Sequence, residues 1–194
     1  MSADIPVVFR KRAKQGARDA RAPSLERYAA GLADVPGVVA ARAFTVNVVL
    51  GDRTPAFFPE LVICELDHAL DDAEPTPAAL NIGAAEAGHL YLQFSAHPAS
   101  LSFDDYSEWY QVHQDENIAQ SAVLRRGWRY RLEPLGATGE PGPTHLALYE
   151  LEGTLETLTT DLGRAMQAGV ISLPDWFTRF ASLEAIAVGE RVTR

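Results

Sequence analysis

Hydrophobic positions along this chain switch between a period of two and a period of about 3.6, and each switch marks the edge of an element. Residues 5–11 carry a short apolar run that reads as a strand, and Ser24 stands as the N-cap of a helix reaching about Asp34. Pro36-Gly37 punctuates. Residues 38–50, rich in Val and Ala, read as a strand closed by Gly51-Asp52, and residues 58–67 form the next. Thr76 or Pro77 opens a second helix ending near Ala87. The following stretch is clearer. Residues 89–96 alternate as a strand, Ser102 or Asp104 caps a helix through about Ser121, and residues 123–133 make a long strand. The cluster GATGEPGP from Gly136 to Pro143 turns the chain into a strand at 144–152, a helix at 154–168 and a candidate last strand at 185–190.

The two stretches share an element order and traces of sequence. LVICELD from Leu61 to Asp67 returns 85 residues later as LALYELE from Leu146 to Glu152, and VVF at Val7 returns at the same distance as LQF at Leu92. ARAFTV from Ala41 returns as GWRYRL from Gly127 with a slip of one residue, which a bulge or loop absorbs. A repeat of that length is a small domain, not a solenoid unit. The expected fold is therefore α+β, with two halves at 1–88 and 89–194, each a βαββαβ ferredoxin-like unit; the first lacks its fourth strand. Such a unit covers one sheet face with helices and must bury the other. The economical arrangement packs the halves face to face as a pseudo-dimeric α+β barrel. The alternative places them side by side, each pairing with another chain in a homodimer.

Composition narrows the partners. Across 194 residues, 47% are hydrophobic and 22% charged, enough for a sizeable core. The formal charge of −9, from 26 acids against 17 bases, disfavours nucleic acid, whose binding draws on cationic contacts. Cys64 is the single cysteine, inside an apolar run, so neither an intrachain disulfide nor a four-thiolate metal site is expected and the residue reads as core. Near the start, the apolar run precedes the basic residues, the reverse of a signal peptide, and no stretch approaches the roughly 20 apolar residues of a membrane span. The expectation is a cytoplasmic protein with no membrane partner.

The candidate chemistry lies on the helix DDYSEWYQVHQDENIAQS, from Asp104 to Ser121. At helical spacing Tyr106, Tyr110, His113 and Asn117 share one stripe, with Trp109 beside it. Core stripes are ordinarily Leu, Ile and Val. This lining suits a flat apolar molecule held by a few polar anchors, with His113 as the proton-transfer group. The competing reading is a core histidine satisfied by backbone groups or by Asn117. At the repeat offset His113 falls on Tyr28, or with the slip on Arg27, so an imidazole occurs in one half only and a single site is expected.

The run FDDYSEWYQVHQDENIAQSAVLRRGWRYRL, followed by THLALYELEG, resembles the EthD-like branch of the dimeric α+β barrel superfamily. Trp109 and His113 match its W-x-x-x-H helix motif, Arg129, Tyr130 and Arg131 its basic and aromatic strand, and Leu146 to Leu151 its Y-L-A-L-Y-E-L strand. The resemblance covers residues 89–190 well and the first half weakly. It implies a barrel of two ferredoxin-like units with a pocket between helices and sheet, in a superfamily of polyketide cyclases, cofactor-free monooxygenases, lactone isomerases and heme-degrading enzymes. Where that family often has a Pro shortly after the His, this chain has Gln114, Asp115 and Glu116, which implies a straighter helix.

Other candidates are weaker. On the strand 123–133, Leu124, Trp128, Tyr130 and Leu132 are expected on one face, with Trp128 and Tyr130 lining the pocket, and Arg125, Arg129 and Arg131 on the other. The arginines either clamp a substrate carboxylate, with Arg129 the chosen contact, or pair with Glu150 and Glu152, which is the commoner arrangement. His113 with Glu116 or Asn117 offers too few ligands for a metal, and His68, His89, His97 and His145 each stand alone in sequence; one axial His would suffice for heme. No Gly-rich phosphate loop and no Ser or Cys nucleophile motif is present, so no cofactor is expected. Trp176, Phe177 and Phe180 in LPDWFTRF either lid the pocket or cover a sheet edge. The sequence thus points to an enzyme of cyclase, isomerase or lyase type acting on a small hydrophobic or aromatic molecule. His113 would be the general acid or base, Tyr110 or Tyr106 would polarise a substrate oxygen, and Trp109, Asn117, Trp128, Tyr130 and Arg129 would bind. Cofactor-free oxygenation and non-catalytic binding are the alternatives.

Overall fold

A computed structural model describes residues 7–10, 24–50, 60–66, 86–132 and 143–193. Within them the fold is α+β. The strands are β1 (Val7–Arg10), β2 (Val38–Leu50), β3 (Glu60–Leu66), β4 (His89–Ala96), β5 (Leu124–Arg131), β6 (His145–Leu151) and β7 (Thr178–Thr193); the helices are α1 (Leu25–Ala33), α2 (Phe103–Gln120) and α3 (Leu155–Gln167). The helix expected at 76–87 and the turn at 136–143 fall almost wholly outside the described residues. No described helix is long and apolar enough to cross a membrane.

The chain divides into two compact units. One comprises Met1–Val48, Ala56–His89 and Glu184–Arg194; the other comprises Val49–Pro55 and Leu90–Leu183. In the first, hydrogen-bonded strands run in the order β1-β3-β2-β7, with β3 antiparallel to both β1 and β2. Ser24 caps α1 by accepting from the Arg27 amide at 3.3 Å, and Leu25, Ala29 and Ala33 pack on Ala41, Ala43, Val62 and Cys64. Burial pushes the Cys64 thiol up to about 11, so it packs as a small apolar group. An ion pair between buried Glu65 and half-buried Arg191, at 2.8 Å, joins β3 to β7.

In the second unit the order is β7-β4-β6-β5, with β6 antiparallel to β4 and β5. Ser102 is the N-cap of α2, accepting from the Asp105 amide at 3.1 Å, and Thr154 caps α3 in the same way at 3.2 Å. With no proline to break it, α2 runs on to Gln120. The last strand departs from expectation. β7 starts at Thr178, not near 185, because Phe180, Ala181, Ser182 and Leu183 are all buried and so show no alternation.

Candidate functional site

Helix α2 buries Tyr106, Tyr110, His113, Gln114 and Asn117, a polar and aromatic face where an ordinary helix packs aliphatic side chains. Tyr106 and Tyr110 pack with Tyr91 of β4, Ala147 and Tyr149 of β6, and Leu158 of α3. The Tyr106 hydroxyl donates to Ser95 Oγ at 2.8 Å, Asn117 Nδ2 to the Tyr149 hydroxyl at 3.4 Å, and Gln114 Nε2 to the Trp128 carbonyl at 3.4 Å. The helix approaches β5 so closely that a Cβ on Gly127 would collide with the Gln114 side chain.

His113 is 3% exposed. Its ring stacks on Trp109 with centroids 5.0 Å apart and planes 9° from parallel, and meets Tyr110 edge-on at 5.9 Å. Phe177 lies 6.1 Å from it, and Trp176 stands on the Trp109 ring at 4.6 Å. The aromatics of LPDWFTRF that precede β7 therefore close over this cluster. Burial, and after it the charge of Arg179, lower the His113 pKa from 6.5 to about 4, so the ring is neutral at pH 7. Burial also raises Tyr106 to about 12 and Tyr110 well above its usual value, so both phenols keep their protons. A neutral imidazole can accept a proton, and the Tyr110 phenol can polarise an oxygen, while the Tyr106 proton is held by Ser95.

The cluster is incompletely satisfied. His113 Nδ1, Asn117 Oδ1 and Arg179 Nε are buried and find no hydrogen-bond partner among the described residues, and the Tyr110 hydroxyl has the Ser95 side chain near it but no well-formed bond. Nearly all buried polar atoms in folded proteins have a partner, so the unmet atoms on this helix face leave bonding capacity for a polar ligand group.

Of the residues singled out from the sequence, Tyr106, Trp109, Tyr110, His113 and Asn117 come together. Arg129 reaches the same side, where Nη1 donates to the Ser107 carbonyl and, at 3.4 Å, to Ser107 Oγ on α2. Trp128 and Tyr130 do not join them. They pair with Leu148 and Leu146, while Arg129 between them pairs with Ala147, which packs under the helices. Strand alternation then sets Trp128 and Tyr130 on the opposite sheet face. A register shift between Leu124 and Gly127 also breaks the expected face for the start of β5, and Leu124 packs with the helices. The expected Arg and Glu pairing is made by Arg125 with Glu152 at 2.7 Å and by Arg126 with Glu150 at 2.6 Å.

Three participants were not singled out from sequence: Tyr149, Ser95 and Arg179. Tyr149 was legible, since it shares the β6 alternation with Ala147 and Leu151. Ser95 and Arg179 are placed by pairing register alone. The histidines outside α2 are not all isolated either, because His97 and His145 meet with ring centroids 6.3 Å apart and His89 Nε2 pairs with Glu184 at 2.7 Å. His68 lies outside the described residues. Among the described residues no three His, Cys, Asp or Glu side chains cluster as a metal site. No known protein family, curated protein or solved structure matches this chain.

Proposed function

We propose that this protein is a small-molecule enzyme that works without a nucleotide cofactor and moves a proton on a hydrophobic, aromatic substrate through His113, in chemistry of the cyclase, isomerase or lyase type. The observation that carries the reading is the set of unmet buried polar atoms on His113, Tyr110, Asn117 and Arg179 within an aromatic enclosure. Tyr110 donates to a substrate oxygen, Trp109 and Phe177 hold its ring, and neutral His113 takes the proton. Negative charge developing on the substrate raises the His113 pKa toward neutrality and strengthens it as a base at that moment. The EthD-like resemblance belongs to the same reading, as does an arrangement of two ferredoxin-like halves forming an α+β barrel. The strand orders β1-β3-β2 and β7-β4-β6-β5, with α2 between β4 and β5 and α3 between β6 and β7, support ferredoxin-like connectivity within each half.

Turnover and thermal unfolding of wild type and His113→Gln across phenolic, polyketide-like and lactone compounds test it. The expected result is a compound that raises the Tm of both proteins and is converted by wild type alone. If no compound binds and His113→Gln melts far below wild type, the residue is core and the enzyme reading falls.

A further inference from the structure

We propose that His97 and His145 form a second binding site, which takes an organic carboxylate on their imidazole Nε2 groups next to Arg131, the cross-strand neighbour of His145. The two residues are brought together where β4 ends and β6 begins, through the pairing of Ser95 with His145. One hydroxyl organises both. The Thr144 amide donates to the Ser95 carbonyl at 2.9 Å, the His97 amide donates to Thr144 Oγ1 at 2.6 Å, and the same Oγ1 lies 2.8 Å from His145 Nδ1. In the proposed arrangement the Thr144 hydroxyl donates its proton to His145 Nδ1, which leaves the His145 ring proton on Nε2. Nε2 of His145 and Nε2 of His97 are both buried with no hydrogen-bond partner among the described residues.

The surroundings choose the ligand. Phe103 stacks on His145 at 5.4 Å, Tyr106 lies 4.5 Å from it and meets His97 edge-on at 5.5 Å, and the Arg131 guanidinium sits 4.8 Å over Phe103. The charges acting on His145 are those of His97 and of Arg129 and Arg131 from β5, and with burial as the larger cause they hold its pKa near 4. An N–H donor in a positive field calls for an anion, and a guanidinium beside it suits the two oxygens of a carboxylate. The aromatic rings on two sides favour an anion with an apolar body over a bare inorganic one. A divalent metal fits poorly, because no third His, Cys, Asp or Glu joins the pair among the described residues. The inference stands independently of the role given to His113.

The test is the histidine ring resonances of the whole protein, followed by 1H–15N NMR at pH 7 during separate additions of benzoate, inorganic phosphate and zinc chloride. Expected are an Nε2–H tautomer for His145, saturable shifts of both rings with benzoate, and an affinity weakened about tenfold or more in Arg131→Gln, the loss of one charge-assisted contact. Arg131 is exposed, so that variant keeps its fold, which its amide spectrum checks. The proposal is overturned if neither ring responds to benzoate, if phosphate binds as tightly as benzoate, or if only zinc shifts the rings.

Discussion

Replacing His113 with Gln removes a buried titrating group while keeping a polar side chain of similar reach, and the effect on stability depends on pH with a sign that can be worked out. Burial lowers the folded-state pKa of His113 from 6.5 to about 4. Between those values the unfolded chain binds a proton that the folded chain refuses, so the stability associated with the neutral ring is fully present above the unfolded pKa and is lost as pH falls toward the folded one. The shift of about 2.5 units corresponds to about 3 kcal/mol at 1.36 kcal/mol per unit. Urea unfolding of both proteins at pH 7, 6, 5 and 4 isolates this contribution, because every other titrating group is common to the pair. Wild type should lose about 3 kcal/mol more than His113→Gln between pH 7 and pH 4, a difference well outside the error of the extrapolation. Parallel pH profiles for the two proteins would refute the reasoning. They would mean that the ring titrates normally, and with that the neutral base at the centre of the proposed chemistry would be gone.

Two ion pairs should differ sharply. Glu65→Ala, which leaves the partly exposed Arg191 without its carboxylate at a 2%-exposed position, should cost about 1.5–3 kcal/mol, whereas Arg125→Ala, at an exposed pair with Glu152, should cost under about 1 kcal/mol; chemical unfolding reads both, and equal losses would contradict the burial argument. Gly127→Ala should lower stability by about 1–3 kcal/mol by driving the Gln114 side chain off its contact with the Trp128 carbonyl, and an unchanged Tm would show that α2 yields easily there. Tyr106→Phe should cost about 1 kcal/mol for the lost bond to Ser95, measured by the same unfolding, and a neutral result would place that hydroxyl outside the buried network.

Much of the second unit was legible because its elements obey local rules. The alternation in HLYLQFSA is β4, the Ser102 cap starts α2 where expected, and the aromatic stripe lies inward. The candidate site was legible as far as one helix could carry it. Tyr106, Tyr110, His113 and Asn117 face one way through helical spacing alone, but which sheet residues they meet depends on register. Trp128 and Tyr130 have the composition of a pocket wall, yet the parity of β5 against β6 sends them to the other face. The pairing of His97 with His145 is similarly invisible, since it follows from Ser95 standing opposite His145 across two strands far apart in the chain. In β7, burial on both faces removed the periodicity that would have announced Phe180 to Leu183 as strand.

Strand β7 has a consequence for how the protein is made. Its first residues, through Leu183, belong to one unit and those from Glu184 onward to the other. During synthesis from the N-terminus, each unit therefore waits for a strand translated after almost everything else it contains, so neither can reach its finished state ahead of the other. A ribosome paused before Thr178 would hold two half-closed units with the β2 and β4 edges uncovered, the state in which this chain is most exposed to pairing with strands of its neighbours.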